Sequence, residues 1–389
     1  MKVCAVIAEY NPLHLGHLKQ IEYVKNVLKA EKIIVIMSGN FTQRGEPAIL
    51  DKFTRSKLAL IAGVDLVIEL PTVFACNNAE VFAKGAINII NGLNVVDGIC
   101  FGVESGSAED YIALASLLTS ESKEFKKELK NQLDTGVSFA KARFNAVKSL
   151  YKEFDDKLLS SPNNILGLEY TKAILQSKSS IEIYPLIRTG DHNDTTLKKG
   201  ITSATSIRET IKLGKKSKVK KSVPKFVYKE LKPYPILIEQ MLLSAVITAD
   251  AKEMSDILDC TEGLENRIKA LIKDNLYYNT LVEKVSTKRY TLARVRRILV
   301  NNLLKIYNPL VKACLNDKLY AKILAVKSES KSIVSEISKK ATIPVLTRKS
   351  DCDILKKTAL ACYEKDVLAN DLYNLATGEK HNEHQMIIL

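Results

Sequence analysis

The chain has 389 residues, 46% hydrophobic and 26% charged, with a formal charge of +14, enough for two or three domains with a sizeable core. It has no run of about twenty apolar residues, which argues against a membrane span. Its seven cysteines are scattered without CxxC spacing, which argues for reduced thiols in a cytoplasm and against a disulfide framework or a zinc site. Residues 211 to 310 hold 20 Lys and Arg against 10 Asp and Glu. A charge so concentrated suits a polyanion surface, with RNA as the first candidate.

In chain order, Val3 to Ala8 is a continuous apolar run of the kind found in a strand buried on both faces of a parallel sheet. It reads as a core strand rather than a signal peptide. Asn11-Pro12 ends it, and from His14-Leu15-Gly16-His17 onward Leu18, Ile21, Val24 and Leu28 repeat with helical period. Unpaired amides and the macrodipole at such a helix start attract anions. An isolated histidine usually packs or is solvated, but two imidazoles three residues apart, with a glycine between them, form a site pattern between this strand and this helix.

Strands are expected at Lys32 to Met37, Asp65 to Leu70, Val96 to Phe101 and Ile181 to Leu186, and helices at Leu50 to Ala62 and Ala79 to Asn91. This alternation predicts an α/β fold, a Rossmann-like open parallel sheet whose ligands lie beyond the carboxyl ends of its strands. Residues 107 to 176 read as a helical insertion. The run Lys215 to Lys221 suggests a boundary between residues 1–214, a catalytic unit, and residues 215–389, a mostly α-helical basic unit.

Val3 to His17 resembles the first strand and HxGH signature of the nucleotidyltransferase superfamily. AEYNPLHLGH, MSGNFTQRGEPAILDKFTRSKLAL and DLVIELP together resemble the bacterial tRNA(Met) cytidine acetate ligases. The resemblance is dense from Ile7 to Arg208 and covers the second half in outline. It implies attack of acetate on the ATP α-phosphate, with Mg2+ arriving with ATP, then acetyl transfer to N4 of the wobble cytidine of elongator tRNA(Met). It assigns catalytic roles to His14, His17 and Arg208. ATP contacts are implied at Ile7, Ala8, Glu9, Tyr10, Asn11, Pro12, Leu13, His14, Leu15, Gly16, His17, Leu18, Lys19 and Gln20, and at Gly102, Asn163, Ile187, Arg188, Ser203 and Thr205. Asn164 is an alternative to Asn163.

Other residues admit two readings. Lys52 and Arg55 either orient acetate or pyrophosphate or form a solvated helix face. Asp191 to Asp194 and the pair His381 and His384 read as polar segments sooner than metal ligands. Arg289, Arg296 and Arg297 in STKRYTLARVRRIL are candidate tRNA contacts, with Arg296 and Arg297 expected to face outward from a helix docked by Leu292, Val295 and Leu299. A dinucleotide-forming adenylyltransferase, or a non-catalytic RNA-binding protein on a nucleotide-binding fold, are the competing functions.

Overall fold

The computed structural model describes residues 2–137, 139–151, 154–188 and 203–389. The polar segment Asp191 to Asp194 lies outside them. Strands β1 (Val3–Ala8), β2 (Lys32–Ser38), β3 (Leu66–Leu70), β4 (Gly98–Val103) and β5 (Glu182–Ile187) form a parallel sheet in the order β5-β4-β1-β2-β3. The period of two is visible in β1. Val3 and Ala5 pack into the core on one face with Ile34, Ile36, Leu66 and Ile68, whereas Cys4 and Val6 pack on the other with Ile33, Val35 and Met37. A strand apolar on both sides is therefore used on both sides. All seven cysteines are free thiols, and no helix among the described residues is long and apolar enough to cross a membrane.

Helix α1 (Leu15–Asn26) follows β1, and α2 (Lys52–Ile61) lies between β2 and β3. The expected insertion is present as helices from Ala108–Thr119 to Pro162–Gln176. β4 runs two residues later than the sequence pattern suggested, so Gly102 lies within it rather than beyond it.

The second half is not helical throughout. β6 (Ala321–Val326) pairs antiparallel with β3, and β7 (Val345–Leu346) and β8 (Ile387–Ile388) pair with successive parts of β6. One sheet therefore crosses the boundary expected at residues 214 and 215. Lys216–Lys221 is a short 3-10 helix with Val219 buried.

A buried ionic network fastens this seam. Glu69 of β3 stands opposite Lys322 of β6. Lys52 Nζ lies 2.7 Å from Glu69 Oε1 and 2.7 Å from Glu383 Oε1, and Lys322 Nζ lies 3.0 Å from Glu69 Oε2 and also pairs with Glu383. Burial works against the Glu69 carboxylate, but Lys322 and Lys52 outweigh it and hold its pKa below the usual range. Nearby, Asp366 accepts hydrogen bonds from Thr72 N and the Tyr320 hydroxyl. Burial and then the Glu69 charge push its pKa up to about 7. Lys52 is 1% exposed, so it is neither a solvated face nor available to a small anion.

Removing one partner of a buried ionic set leaves uncompensated charge in the core, which costs about 3–5 kcal/mol. Lys52→Met should lower the urea midpoint by the equivalent of about that amount. A change below about 1 kcal/mol would show that the network contributes nothing beyond an exposed pair.

Candidate active site at the HxGH turn

The carboxyl ends of β1, β2, β4 and β5 converge on the turn between β1 and α1. This turn contains Tyr10 at φ 46° and a cis Asn11–Pro12 peptide. Arg55, read as a possible anion contact, is a buried brace instead. Its Nε donates to Leu50 O at 2.9 Å, its Nη1 to Glu9 O at 2.7 Å and to Ser38 O at 3.0 Å, and its Nη2 to Gly39 O. One planar guanidinium thus ties the ends of β1 and β2 together. Asn11 Oδ1 accepts from Ile49 N at 2.9 Å, and Glu9 Oε1 accepts from Gln43 N at 2.8 Å.

The amides opening α1 are not vacant, contrary to the sequence expectation. Leu15 N donates to Ser222 O at 3.4 Å, and His17 N donates to His14 O at 2.9 Å. The remaining capping is done by the two imidazoles. His14 Nδ1 accepts from Gly16 N at 3.1 Å, and His17 Nδ1 accepts from His14 N at 3.2 Å, a reciprocal box built from histidines. The rings stack with centroids 3.7 Å apart and planes at 15°, and Tyr10 meets His17 edge-on at 5.0 Å. Because each Nδ1 accepts a backbone hydrogen, each neutral ring carries its proton on Nε2. The helix start is thereby read out as two imidazole N–H donors.

Within Ile7 to Gln20 the structure separates roles. Tyr10, Asn11, Pro12, Leu13 and His14 are buried, Ile7, Ala8, Glu9, Leu15, Gly16, His17, Leu18 and Gln20 are half-buried, and Lys19 is exposed. Leu13 and Leu18 belong to the core under α1, and Gln20 donates to Cys100 O at 3.1 Å. At β4, a Cβ on Gly102 would lie 3.1 Å from the Arg188 chain, so the glycine makes room for that arginine. Ile187 is exposed. Asn164 is committed to the fold, accepting from Glu104 N at 2.7 Å and donating to Lys157 O at 2.8 Å, whereas half-buried Asn163 donates to Glu104 Oε1 at 2.5 Å.

Ser203 caps the helix Ala204–Lys212 by accepting from Ser206 N at 3.2 Å. Arg208 reaches back from that helix. Its Nη1 donates to Asn11 O at 3.0 Å, its Nη2 to Thr205 Oγ1 at 3.3 Å, and its Nε lies 3.3 Å from Glu46 Oε2. The hydroxyl-rich segment and the HxGH turn therefore meet through one side chain.

Two expectations for the basic helix are corrected. Arg296 and Arg297 do not face outward. Arg296 pairs with Glu46, and Arg297 Nη1 donates to Gln43 O at 3.3 Å. The cause is a close approach: Gly45, at φ +70°, would place a Cβ 2.4 Å from Arg296 C and Arg297 N, so backbone packs on backbone and the adjacent arginines turn toward the loop. Arg289 is exposed and lies 2.7 Å from Glu262. Glu46, which sequence reasoning missed, is 3% exposed. Its position after Arg44-Gly45 in the quoted SGNFTQRGEP string was the available signal.

His381 and His384 do not converge. His381 Nε2 lies 2.6 Å from Glu379 Oε2 and 3.4 Å from Asp51 Oδ2, while His384 Nδ1 lies 2.8 Å from the Tyr363 hydroxyl. Asp51, Glu379 and His381 are the one group among the described residues with three possible metal-ligand atoms gathered together, and the 2.6 Å separation is that of a hydrogen bond between the two side chains.

Burial, then His14 and Arg188, lowers the His17 pKa well below 6.5. The folded ring stays neutral through a range where the unfolded ring takes up a proton, so stability contributed by this site declines as pH falls below 6.5. Ring NMR signals of His17 should not titrate near pH 6.5; a midpoint there would contradict the capped, neutral His17 ring.

The model of the family HIGH Nucleotidyl Transferase matches residues 1–386. Among curated relatives, a tRNA(Met) cytidine acetate ligase of Clostridium novyi (strain NT) is 37% identical over 391 residues, covering 96% of this chain and 95% of its own. That of Caldanaerobacter subterraneus subsp. tengcongensis is 38% identical over 385 residues, covering 97% and 96%. The crystal structures of Thermotoga maritima TmcAL, apo and bound with alpha-thio ATP, align over 100% of both chains with TM-scores of 0.93 and 0.91 at 31% and 30% identity. The chain therefore belongs to the HIGH nucleotidyl transferases.

Proposed function

We propose that the protein is an ATP-dependent acetate ligase acting on tRNA(Met). The observation that carries this reading is the HxGH turn itself, where two stacked imidazoles hold their Nδ1 atoms on backbone amides, which leaves Nε2 as the proton-bearing nitrogen of each ring, with Arg208 anchored to the same turn. Adenylation calls for this set of donors. An acetate oxygen attacks the α-phosphorus, pyrophosphate leaves, and negative charge grows on phosphate oxygens that need preorganised N–H groups more than covalent chemistry. His14 and His17 would serve the α-phosphate, and Ser203, Thr205 and Arg208 the β- and γ-phosphates. Arg188 lies close enough to His17 to lower its pKa and adds positive charge on the β4–β5 side. Glu9 and Glu46 are bound to protein donors, so Mg2+ would enter with the triphosphate rather than wait in a carboxylate cage.

The second step is attack of an amine on the acetyl carbonyl, with AMP leaving. Names of the relatives support tRNA(Met) cytidine as acceptor; family resemblance refines it to N4 of the wobble cytidine of elongator tRNA(Met). We assign ATP chemistry to residues 1–214 and RNA contact chiefly to residues 215–389. Since Arg296 and Arg297 point inward, the RNA surface moves to Lys215, Lys218, Lys220 and Lys221. All four are exposed, on a run ending at Ser222 beside the start of α1.

Two experiments test this reading. Pyrophosphate release should require acetate and not a nucleoside phosphate, and His17→Ala should lower it by about two decades or more, near 3 kcal/mol. Near-normal turnover in that variant would remove the adenylation mechanism. Replacing Lys218, Lys220 and Lys221 by alanine should weaken tRNA binding and flatten log affinity against log salt by about two to three units. Unchanged affinity and slope would place the RNA elsewhere.

A further inference from the structure

Glu46 is a buried carboxylate shared by two arginines from opposite halves of the chain. The loop carrying it is tightly closed: Thr42 N donates to Glu46 O at 3.0 Å, Gly45 N to Thr42 O at 2.9 Å, and Ala48 N to Asn40 O at 2.9 Å. One carboxylate oxygen faces Arg208 Nε at 3.3 Å and the other pairs with Arg296 Nη1. The Glu46–Arg208 contact is an ion pair without an aligned hydrogen bond, while Arg208 has Nη1 on Asn11 O and Nη2 on Thr205 Oγ1, so its planar fork is held between the HxGH turn and the hydroxyl cluster with the Glu46 charge beside it. Burial opposes the Glu46 charge, but Arg208, Lys212, Arg296 and Arg44 together keep it ionised.

We propose that Glu46 is a positioning residue for adenylation, which orients Arg208 toward the triphosphate and, through Arg296, ties that arm to the helix Leu292–Leu304 of the second half. The inference rests on the reading of Arg208 as a phosphate contact. It gives Arg296 a function on the ATP side, in place of the RNA contact its basic surroundings suggested. A neutral isostere at position 46 would leave Arg208 and Arg296 without their shared counter-charge, and two mutually repelling guanidinium groups would not keep one geometry.

The test is acetate-dependent ATP–pyrophosphate exchange by the full chain, without tRNA, for Glu46→Gln, Arg208→Gln, Arg296→Gln and the Glu46→Gln/Arg208→Gln double variant. Glu46→Asp, which keeps the buried charge but shortens its reach, replaces Glu46→Gln throughout if the latter does not fold. Glu46→Gln should lower kcat/KM for ATP by about tenfold or more and leave the KM for acetate unchanged. The double variant should be no slower than Arg208→Gln alone, because Glu46 acts through Arg208. Arg296→Gln should lower the same rate by about threefold to tenfold, although no RNA is present. If Arg208→Gln exchanges normally, the phosphate reading of Arg208 fails and the role of Glu46 falls with it. If Arg208→Gln is slow but the Glu46 variant is normal, affects both substrates alike or multiplies with Arg208→Gln, the positioning role alone is overturned.

Discussion

The amide ends of α1 are capped by imidazoles, and the site depends on that substitution of a ring for a hydroxyl. A serine or aspartate cap satisfies an amide and stops there. A histidine cap accepts the amide on one nitrogen and carries a proton on the other, so helix capping and donor orientation become one constraint. The reciprocal arrangement of His14 and His17 fixes both stacked rings, and burial holds the His17 pKa well below 6.5. A lysine pair would bring more charge, but its flexible stems would have to be ordered when the anion arrives.

The surrounding structure is organised to hold that turn still. Arg55 joins the carbonyl ends of β1 and β2 from below, Arg208 reaches Asn11 O from the far helix, and Ser222 O receives an amide from the start of α1. The Lys52, Glu69, Lys322 and Glu383 network then locks β6 and the chain's end onto β3. Breaking a buried set of this kind costs far more than the intact set adds over a well-packed apolar core. Here the network sets the second half against the first, and helix Leu292–Leu304 follows the same placement when it meets the 39–47 loop at Gly45.

Residues whose roles are local were legible in the sequence. The apolar run of β1, its stop at Asn11-Pro12 and the helical period after His14 each depend on neighbours a few positions away, and they appear as read. Roles fixed by distant partners were not. Lys52 and Arg55 look like a charged helix face until β6, Glu383 and the strand ends are placed around them. Arg296 and Arg297 look outward-facing until Gly45 brings a loop onto their backbone. The short strands β7 and β8 are two residues each and carry no period to detect, and β6 resembles any apolar segment among helices. Even at the HxGH turn, sequence placed the helix start correctly but left its amides open, because the histidine side chains that close them are a matter of rotamer rather than pattern.

The central claim is that acetate itself attacks the α-phosphorus at this turn. Acetate labelled with 18O in both carboxylate oxygens, supplied with ATP and tRNA, distinguishes this from other routes. The account predicts AMP carrying one 18O atom for each acetyl group transferred, because the attacking oxygen stays on phosphorus when the acetyl group leaves. Acetylated tRNA formed alongside unlabelled AMP would contradict it.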